Sequence, residues 1–163
     1  MKRTISLVLT FVLLFASVIG ATGCKKEYSV PDFTVYDAGY NPHKLEDFIG
    51  KPIVLNFWAT WCYYCAVEMP AFDEAARKYD NVQFLMINHT DGINETVSGA
   101  SYFISQNGYS FPVFYDVSLE ASEKYNVEAF PTTVFINKDG ELVKRHEGMM
   151  SLELLESYID LID

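Results

Sequence analysis

Thiols and imidazoles are scarce in this chain of 163 residues, which has three cysteines and three histidines. The histidines lie far apart, and only Cys62 and Cys65 are close together. A structural zinc site needs four Cys or His ligands, usually in two close pairs, and here the second pair is missing. The cysteine pattern therefore favours redox chemistry over a structural metal site at this pair.

Positive charge is scarce as well. The chain has 12 Lys and Arg against 22 Asp and Glu. The first 23 residues hold two of the basic residues and none of the acidic ones, so the remainder carries 10 − 22 = −12. This charge argues against binding to nucleic acid and against electrostatic adhesion to an anionic membrane. We therefore expect no nucleic-acid partner.

A long hydrophobic run occurs only at the amino terminus. A basic start precedes an apolar stretch over residues 5–19 and small residues over 20–23, which is the pattern of a secretory signal peptide. The end of this segment, Ala21-Thr22-Gly23-Cys24, resembles the lipobox of bacterial lipoproteins, although Ala21 stands where Leu is usual. The resemblance implies that Cys24 is lipidated. Ordinary cleavage that leaves a free thiol, or an uncleaved anchor, are the alternatives.

Each of these alternatives places the remaining chain outside the cytoplasm, where disulfides persist. The expected organisation is a signal peptide over residues 1–23, a lipidated Cys24 with a tether over 24–30, and one domain over 31–163. No internal repeat divides that domain.

Cys62 and Cys65 fall where a strand passes into a helix. Ile53–Trp58 is an apolar run typical of a buried strand, and apolar residues at helical spacing follow the cysteines up to Tyr79. A helix N-terminus offers free N–H groups and a partial positive charge, which lower a thiol pKa from about 8.5. Cys62 is therefore the expected attacking thiol, and Cys65, one turn further in, the more shielded resolving partner.

The remaining chain alternates between strands and helices. Strands are predicted at residues 33–36, 82–87, 112–115, 130–136 and 142–146, and helices at 94–105, 118–125 and 152–162, with Ser118 and Ser151 as caps. Crossovers of this length predict an α/β domain with a parallel core, and 142–146 should return antiparallel. Strand 33–36 is predicted at a sheet edge, followed by a turn over 37–42 and a helical turn over 45–49, with His43 in a surface loop.

Four segments carry a resemblance to a known family: residues 50–65 (GKPIVLNFWATWCYYC), 68–70 (EMP), 111–113 (FPV) and 130–140 (FPTTVFINKDG). Together they resemble the thioredoxin superfamily, and more narrowly its membrane-anchored TlpA/ResA-like thiol-disulfide oxidoreductases, over about residues 30–162. The resemblance implies a thioredoxin fold, with a central mixed sheet flanked by helices and an N-terminal strand extension. It implies no cofactor beyond a redox-active Cys62–Cys65 disulfide.

The resemblance also implies roles for individual residues. Cys62 would be the nucleophile, and Cys65 would resolve the mixed disulfide. The Phe130–Pro131 bond would be cis and would expose the Phe130 backbone beside Cys62, where a substrate strand could pair. Trp61 is expected to shape the contact surface.

A carboxylate near the dithiol is predicted at Glu68. Thioredoxins proper have a buried Asp where this chain has Asn56, and an amide cannot accept the proton of the resolving thiol. Glu68 lies three residues after Cys65, on the same side of the helix, and matches the acidic residue that this family has near its dithiol. The implied role is general base or regulator of the thiol pKa. The alternative is a solvated helix residue.

The leading hypothesis is a reductase that passes electrons from a membrane donor to protein disulfides outside the cytoplasm, such as oxidised haem-attachment cysteines in cytochrome c maturation. We expect protein thiol and disulfide partners, a lipid-anchored location and a monomer. A disulfide oxidase or isomerase, a thiol peroxidase and a copper or zinc carrier are the alternatives. Tyr63-Tyr64 between the cysteines departs from the family pattern, so the sequence does not give the reduction potential.

Overall fold

The computed structural model describes residues 29–162, and the signal-peptide pattern and Cys24 lie outside this range. Seven strands are present in it: β1 (Thr34–Tyr36), β2 (Pro42–Lys44), β3 (Ile53–Trp58), β4 (Gln83–Asn88), β5 (Val113–Tyr115), β6 (Thr132–Ile136) and β7 (Leu142–Glu147). The α-helices are α1 (Tyr63–Lys78), α2 (Val97–Asn107), α3 (Glu120–Lys124) and α4 (Leu152–Ile159), and a 3-10 turn spans Leu45–Phe48.

The seven strands form one mixed sheet in the order β2-β1-β5-β4-β3-β6-β7. The central strands β3, β4 and β5 are parallel, whereas β6 and β7 add to β3 in antiparallel fashion. The predicted mixed sheet with a parallel core is confirmed. In this arrangement the carboxyl end of β3 lies beside the amino end of β6, so the residues after Trp58 and those before Thr132 meet at one end of the sheet.

Two apolar cores cover the two faces of the sheet, and β3 contributes to both by alternation. Ile53, Leu55 and Phe57 pack with α3 and the amino-terminal strands. Val54 and Trp58 pack with α1, α2 and α4 on the other face. All six β3 residues are buried, and Asn56 is the only polar one among them. Because successive side chains of a strand point to opposite faces, Asn56 shares the face of Val54 and Trp58 and points towards α1.

The amino-terminal part of the sheet differs from the prediction. β1 lies between β2 and β5 and is not an edge strand. The edge is β2, which the sequence did not predict, because a three-residue strand containing Pro, His and Lys has no apolar alternation. The predicted loop position of His43 is therefore wrong: the residue pairs with Val35 in the sheet, and its ring lies 5.1 Å from that of Phe114.

Two helices begin later than predicted. Thr96, not Asn94, caps α2 by accepting a hydrogen bond from Gly99 N at 3.1 Å. α3 begins at Glu120 instead of after Ser118, because Asp116 accepts hydrogen bonds from Ala121 N and Ser122 N at its amino end. In each case a polar side chain upstream satisfies free N–H groups of the first turn. The predicted cap of the last helix at Ser151 is confirmed.

The first described residues already belong to the domain. Val30 is buried in the core, and Ser29 donates from N and from Oγ to the Gly140 carbonyl. The packed chain thus includes two residues that the sequence assigned to the tether. Within residues 29–162, no helix has both the length and the apolar composition to cross a bilayer.

Candidate active site

The dithiol pair lies at the start of α1, as predicted. Cys62 is the N-cap residue, and its Sγ accepts a hydrogen bond from Cys65 N at 3.1 Å. The two cysteines form a disulfide. Cys62 is 6 % exposed and Cys65 is fully buried, so Cys65 is the more shielded thiol, as expected. The Cys65 N–H in the first turn of the helix points at the sulfur of Cys62, which favours its thiolate after reduction.

Glu68 is buried on α1, one turn after Cys65, with 2 % of its surface exposed. Its Oε1 accepts a hydrogen bond from Asn56 Nδ2 at 2.8 Å, and its Oε2 accepts one from Met150 N at 2.9 Å. Burial raises the pKa of Glu68 from 4.5 to about 7, although these two hydrogen bonds oppose the rise. The interpretation of Glu68 as a solvated helix residue is therefore wrong. Near neutral pH this carboxyl can both take up and release a proton.

The chain before β6 approaches the dithiol from the other side. The Phe130–Pro131 bond is cis, as predicted. The Phe130 ring lies 5.5 Å from the ring of Trp61 in a perpendicular contact, so the segment preceding Cys62 and the cis-proline segment touch. Within residues 29–162, neither the N–H nor the carbonyl of Phe130 has a hydrogen-bond partner. This backbone is available to an added strand.

Large apolar side chains around the disulfide are exposed. Trp61 is 54 % exposed, Tyr63 74 %, Tyr64 60 % and Val67 46 %. The Tyr63 and Tyr64 rings contact each other at 5.5 Å, and Val67 follows one turn later on the same helix. We call these four residues the aromatic surface. Soluble proteins seldom expose contiguous apolar patches without a binding partner.

A second buried carboxylate, Glu95, fixes the loop that leads to Cys62. It is 2 % exposed. Thr60 donates to it from N at 3.1 Å and from Oγ1 at 2.6 Å, and Asn88 donates from Nδ2 at 2.8 Å. Asp91 holds the Glu95 backbone through Glu95 N at 2.9 Å. The sequence did not point to Glu95, because a Glu in a polar loop is normally solvated.

The remaining polar residues near the site have structural partners. His89 is half-buried, with Nδ1 3.0 Å from Ser122 Oγ and its ring 5.0 Å from that of Phe130. Of the two methionines before α4, Met149 is exposed and Met150 is buried. In the described part of the chain, no three His, Cys, Asp or Glu side chains cluster as a metal site would need.

A disulfide at a helix start beside a cis-proline, on a mixed sheet flanked by helices, defines a thiol-disulfide oxidoreductase of the thioredoxin fold. Residues 26–145 match the AhpC/TSA family. The Thiol-disulfide oxidoreductase ResA of Geobacillus kaustophilus is 34 % identical over 136 residues, which cover 82 % of this chain and 76 % of the relative. The chain therefore belongs to the AhpC/TSA family and, within it, to the ResA-like thiol-disulfide oxidoreductases.

Solved structures agree with this fold. An exposed lipoprotein thioredoxin of Streptococcus pneumoniae superposes with a TM-score of 0.71 at 29 % identity, over 80 % of this chain and 99 % of that one. A secreted disulfide oxidoreductase of Mycobacterium tuberculosis superposes with a TM-score of 0.71 at 26 % identity, over 79 % of this chain and 95 % of that one. The predicted thioredoxin fold is confirmed.

Proposed function

We propose that this oxidoreductase reduces protein disulfides outside the cytoplasm, with Cys62 as nucleophile, Cys65 as resolving thiol and Glu68 as proton acceptor. The observation that carries the proposal is the buried Glu68, which lies one turn from Cys65 with a pKa of about 7. A carboxyl poised near the working pH can remove the proton of a buried thiol, which the amide of Asn56 cannot do.

The reaction starts from the reduced dithiol. The Cys62 thiolate attacks one sulfur of a substrate disulfide, a Cys62–substrate mixed disulfide forms, and the first substrate thiolate leaves. Cys65 then gives its proton to the Glu68 carboxylate, and its thiolate attacks Cys62 Sγ. The Cys62–substrate bond breaks, the second substrate thiolate leaves, and Cys62–Cys65 closes. Two electrons have passed to the substrate, and a dithiol donor in the membrane must restore the reduced pair.

Protein substrates fit this site better than small disulfides. The aromatic surface beside Cys62 offers apolar contact area, and the free Phe130 backbone offers main-chain hydrogen bonds to an extended segment. Glutathione disulfide is small and anionic, so it gains little from either feature, and the net charge of this chain repels it. We expect oxidised haem-attachment cysteines of cytochromes c to be among the substrates.

The proposed location is the outer face of the cell membrane, with a lipid on Cys24. The signal-peptide pattern and the small residue before Cys24 support it. Two similar solved proteins are described as an exposed lipoprotein and as secreted. Replacement of Cys24 by Ala should release the protein from the membrane fraction without altering its reductase activity.

Trapping of substrates tests the roles of the two cysteines. Cys65→Ser should accumulate mixed disulfides with partner proteins, because the Cys62 adduct can no longer be resolved. Cys62→Ser is the matched control and should accumulate none. Non-reducing gels followed by peptide mass analysis identify the cysteine that carries the adduct. Equal trapping by both variants would overturn the assignment of Cys62 as nucleophile.

Equilibration with glutathione tests the direction of electron flow. A reductase should have a midpoint potential of about −270 mV, as thioredoxin does, whereas a value of about −120 mV belongs to an oxidant. The fraction of oxidised protein is read by thiol alkylation at a series of glutathione ratios. A potential in the oxidising range would replace the reductase proposal with the oxidase alternative.

A further inference from the structure

The amide of Asn56 is the only side chain that contacts Glu68 by a hydrogen bond in the described chain. Nδ2 donates to Glu68 Oε1 at 2.8 Å and also to Thr133 Oγ1 at 3.0 Å. Asn56 and Thr133 are directly paired across β3 and β6, and both are fully buried. Within residues 29–162, the Oδ1 atom of Asn56 is buried without a hydrogen-bond partner.

This arrangement suits only one protonation state of Glu68. An ionised carboxylate can only accept, so an amide N–H is the right neighbour for it. A protonated carboxyl has an O–H to donate and needs an acceptor. The amide of Asn56 presents that acceptor if it rotates by half a turn about its last bond, because its oxygen and nitrogen then exchange positions. The Thr133 hydroxyl can then donate to the Asn56 oxygen instead of accepting from its nitrogen, since a hydroxyl does both.

Asn88 is the other buried asparagine that donates to a carboxylate in this site, and its side-chain amide cannot rotate in the same way. Asn88 Nδ2 donates to Glu95 Oε1 at 2.8 Å, and Asn88 Oδ1 accepts from Thr90 Oγ1 at 2.7 Å. Rotation of the Asn88 amide would break both hydrogen bonds. Within residues 29–162, Asn56 Oδ1 accepts no hydrogen bond, whereas Asn88 Oδ1 accepts one from Thr90. Rotation of the Asn56 amide therefore breaks no hydrogen bond at its oxygen.

We propose that Asn56 is a positioning residue whose side-chain amide reverses when Glu68 changes its protonation state, so that either form of the carboxyl keeps a hydrogen bond. The proposal rests on the proposed function, in which Glu68 takes the proton of Cys65. Transfer of that proton converts the carboxylate to a carboxyl in a closed site. Reversal of an amide accommodates the change without movement of α1, β3 or β6.

Few other titratable groups face this pair. On α1 the neighbour is Cys65, and the segment before α4 contributes only the Met150 N–H. On β7, His146 is paired with Thr133, and its ring lies 6.1 Å from that of Tyr158 on α4. Lys144 lies against the same tyrosine ring. His146 and Lys144 must be included as controls in any pH titration of Glu68.

Nuclear magnetic resonance of the whole protein, labelled on glutamate carboxyls and asparagine amides, tests the inference without any substitution. The side-chain amide signal of Asn56 should change with the same pH midpoint as the Glu68 carboxyl signal, whereas the amide signal of Asn88 should stay constant. Replacement of His146 by Gln should leave this midpoint in place. An Asn56 signal that does not change through the Glu68 titration would overturn the inference.

Variants add a second, independent measurement. Asn56→Leu keeps the branched shape of the side chain and removes the amide from both forms of Glu68. Because the hydrogen bond to the carboxylate is stronger than the one from the carboxyl, the variant should lower the ionised fraction of Glu68 about tenfold on the acidic side of the transition. Thr133→Val should shift the midpoint in the same direction by less, and Thr133→Ser should restore the parent curve. Thr132→Val, which removes a buried hydroxyl bonded to Ala129 O, is the matched control. A Glu68 midpoint in Asn56→Leu equal to that of the parent would contradict the inference.

The rate of resolution separates this inference from the proposed function. Decay of a preformed Cys62–peptide mixed disulfide, followed against pH, should shift with the Glu68 midpoint in each variant. If the midpoint moves but the rate profile does not, Glu68 is not the proton acceptor and that part of the proposed function fails, while the reversal of the amide stands on the resonance data. Joint movement of midpoint and rate supports both.

Discussion

Glu68 and Glu95 are equally buried, yet their hydrogen bonding differs. Glu95 receives three donors from two segments, including the backbone and hydroxyl of Thr60. Glu68 receives one donor on each oxygen, and within residues 29–162 no cation pairs with it. The three donors fix the Glu95 carboxylate in one position, so it can hold the Thr60 loop in place. Glu68 has only two donors, which do not offset the cost of burial, so its pKa is raised to about 7.

The two carboxylates serve the two cysteines in different ways. Glu95 fixes Thr60, two residues before Cys62, and so fixes the chain that leads to the Cys62 sulfur. Glu68 lies one turn after Cys65 and can receive its proton. The comparison teaches that burial alone does not characterise a carboxyl, because equally buried carboxyls can receive different numbers of hydrogen-bond donors. Three predictions test this distinction.

The largest effect we expect is on the pH dependence of stability. The unfolded chain has Glu68 at a pKa near 4.5 and the folded chain at about 7, so the folded state binds this proton more tightly. The contribution is therefore fully present below about pH 4.5, is lost as the pH rises through about 7, and amounts to about 3 kcal/mol. Urea unfolding of the oxidised parent and of Glu68→Gln at several pH values should show this loss only in the parent.

Glu74→Gln is the matched control for that measurement, because Glu74 is exposed on the same helix. Its unfolding free energy should follow the parent curve at each pH. Parallel curves for Glu68→Gln and the parent would mean that burial does not raise the pKa of Glu68. The distinction from Glu95 would then be lost.

The same substitution at the two sites should have unequal effects at pH 7. Glu95→Gln sets an amide N–H2 against the donors of Thr60 and Asn88, so we expect a loss of about 2 kcal/mol in unfolding free energy. Glu68→Gln should cost less than about 1 kcal/mol, since the Asn56 amide can offer its oxygen to the new donor. Equal losses in chemical denaturation would contradict the assignment of Glu95 as the structural carboxylate.

The smallest effect concerns the hydrogen bond from Thr90 that fixes the orientation of the Asn88 amide. Thr90→Val removes the hydroxyl that donates to Asn88 Oδ1 and leaves a buried acceptor unpaired, as at Asn56. We expect a loss of about 1 kcal/mol in unfolding free energy, with Thr90→Ser close to the parent. In the same variant, the side-chain amide signal of Asn88 should gain the mobility that we expect of Asn56. An Asn88 signal in Thr90→Val that is as sharp as in the parent would show that Thr90 does not fix the orientation of this amide.

Most of the sheet and the dithiol could be predicted from the sequence, for identifiable reasons. β3 is a continuous apolar run followed directly by Cys62, and α1 has apolar residues at helical spacing, so both patterns are unambiguous. β2 was missed because its three residues show no apolar alternation. Its partner β1 also has only three residues, so the pairing leaves no clear pattern in the sequence. Short strands are specified by their neighbours more than by their own residues.

The candidate site could be predicted only in part. Glu68 follows from its spacing after Cys65 together with the family resemblance, and the cis bond follows from the resemblance of residues 130–140. The partners Asn56, Thr133 and Met150 come from β3, β6 and the segment before α4, and no local pattern unites them. Glu95 depends on Asp91 holding its backbone in a turn. Such contacts arise from the tertiary fold, which periodicity does not report.

The contact between Ser29 and Gly140 shows which end of the sheet would lie nearest to a membrane anchor that precedes the domain. Gly140 lies in the β6–β7 turn, and the register of β3 with β6 puts that turn at the opposite end of the sheet from Cys62. Four residues lie between Cys24 and Ser29, and the five steps from one to the other reach at most about 18 Å. With a lipid on Cys24, the domain would rest close to the headgroups, and Cys62 would lie at the end of the sheet farther from them. A membrane donor would then have to project from the bilayer to reduce the Cys62–Cys65 pair.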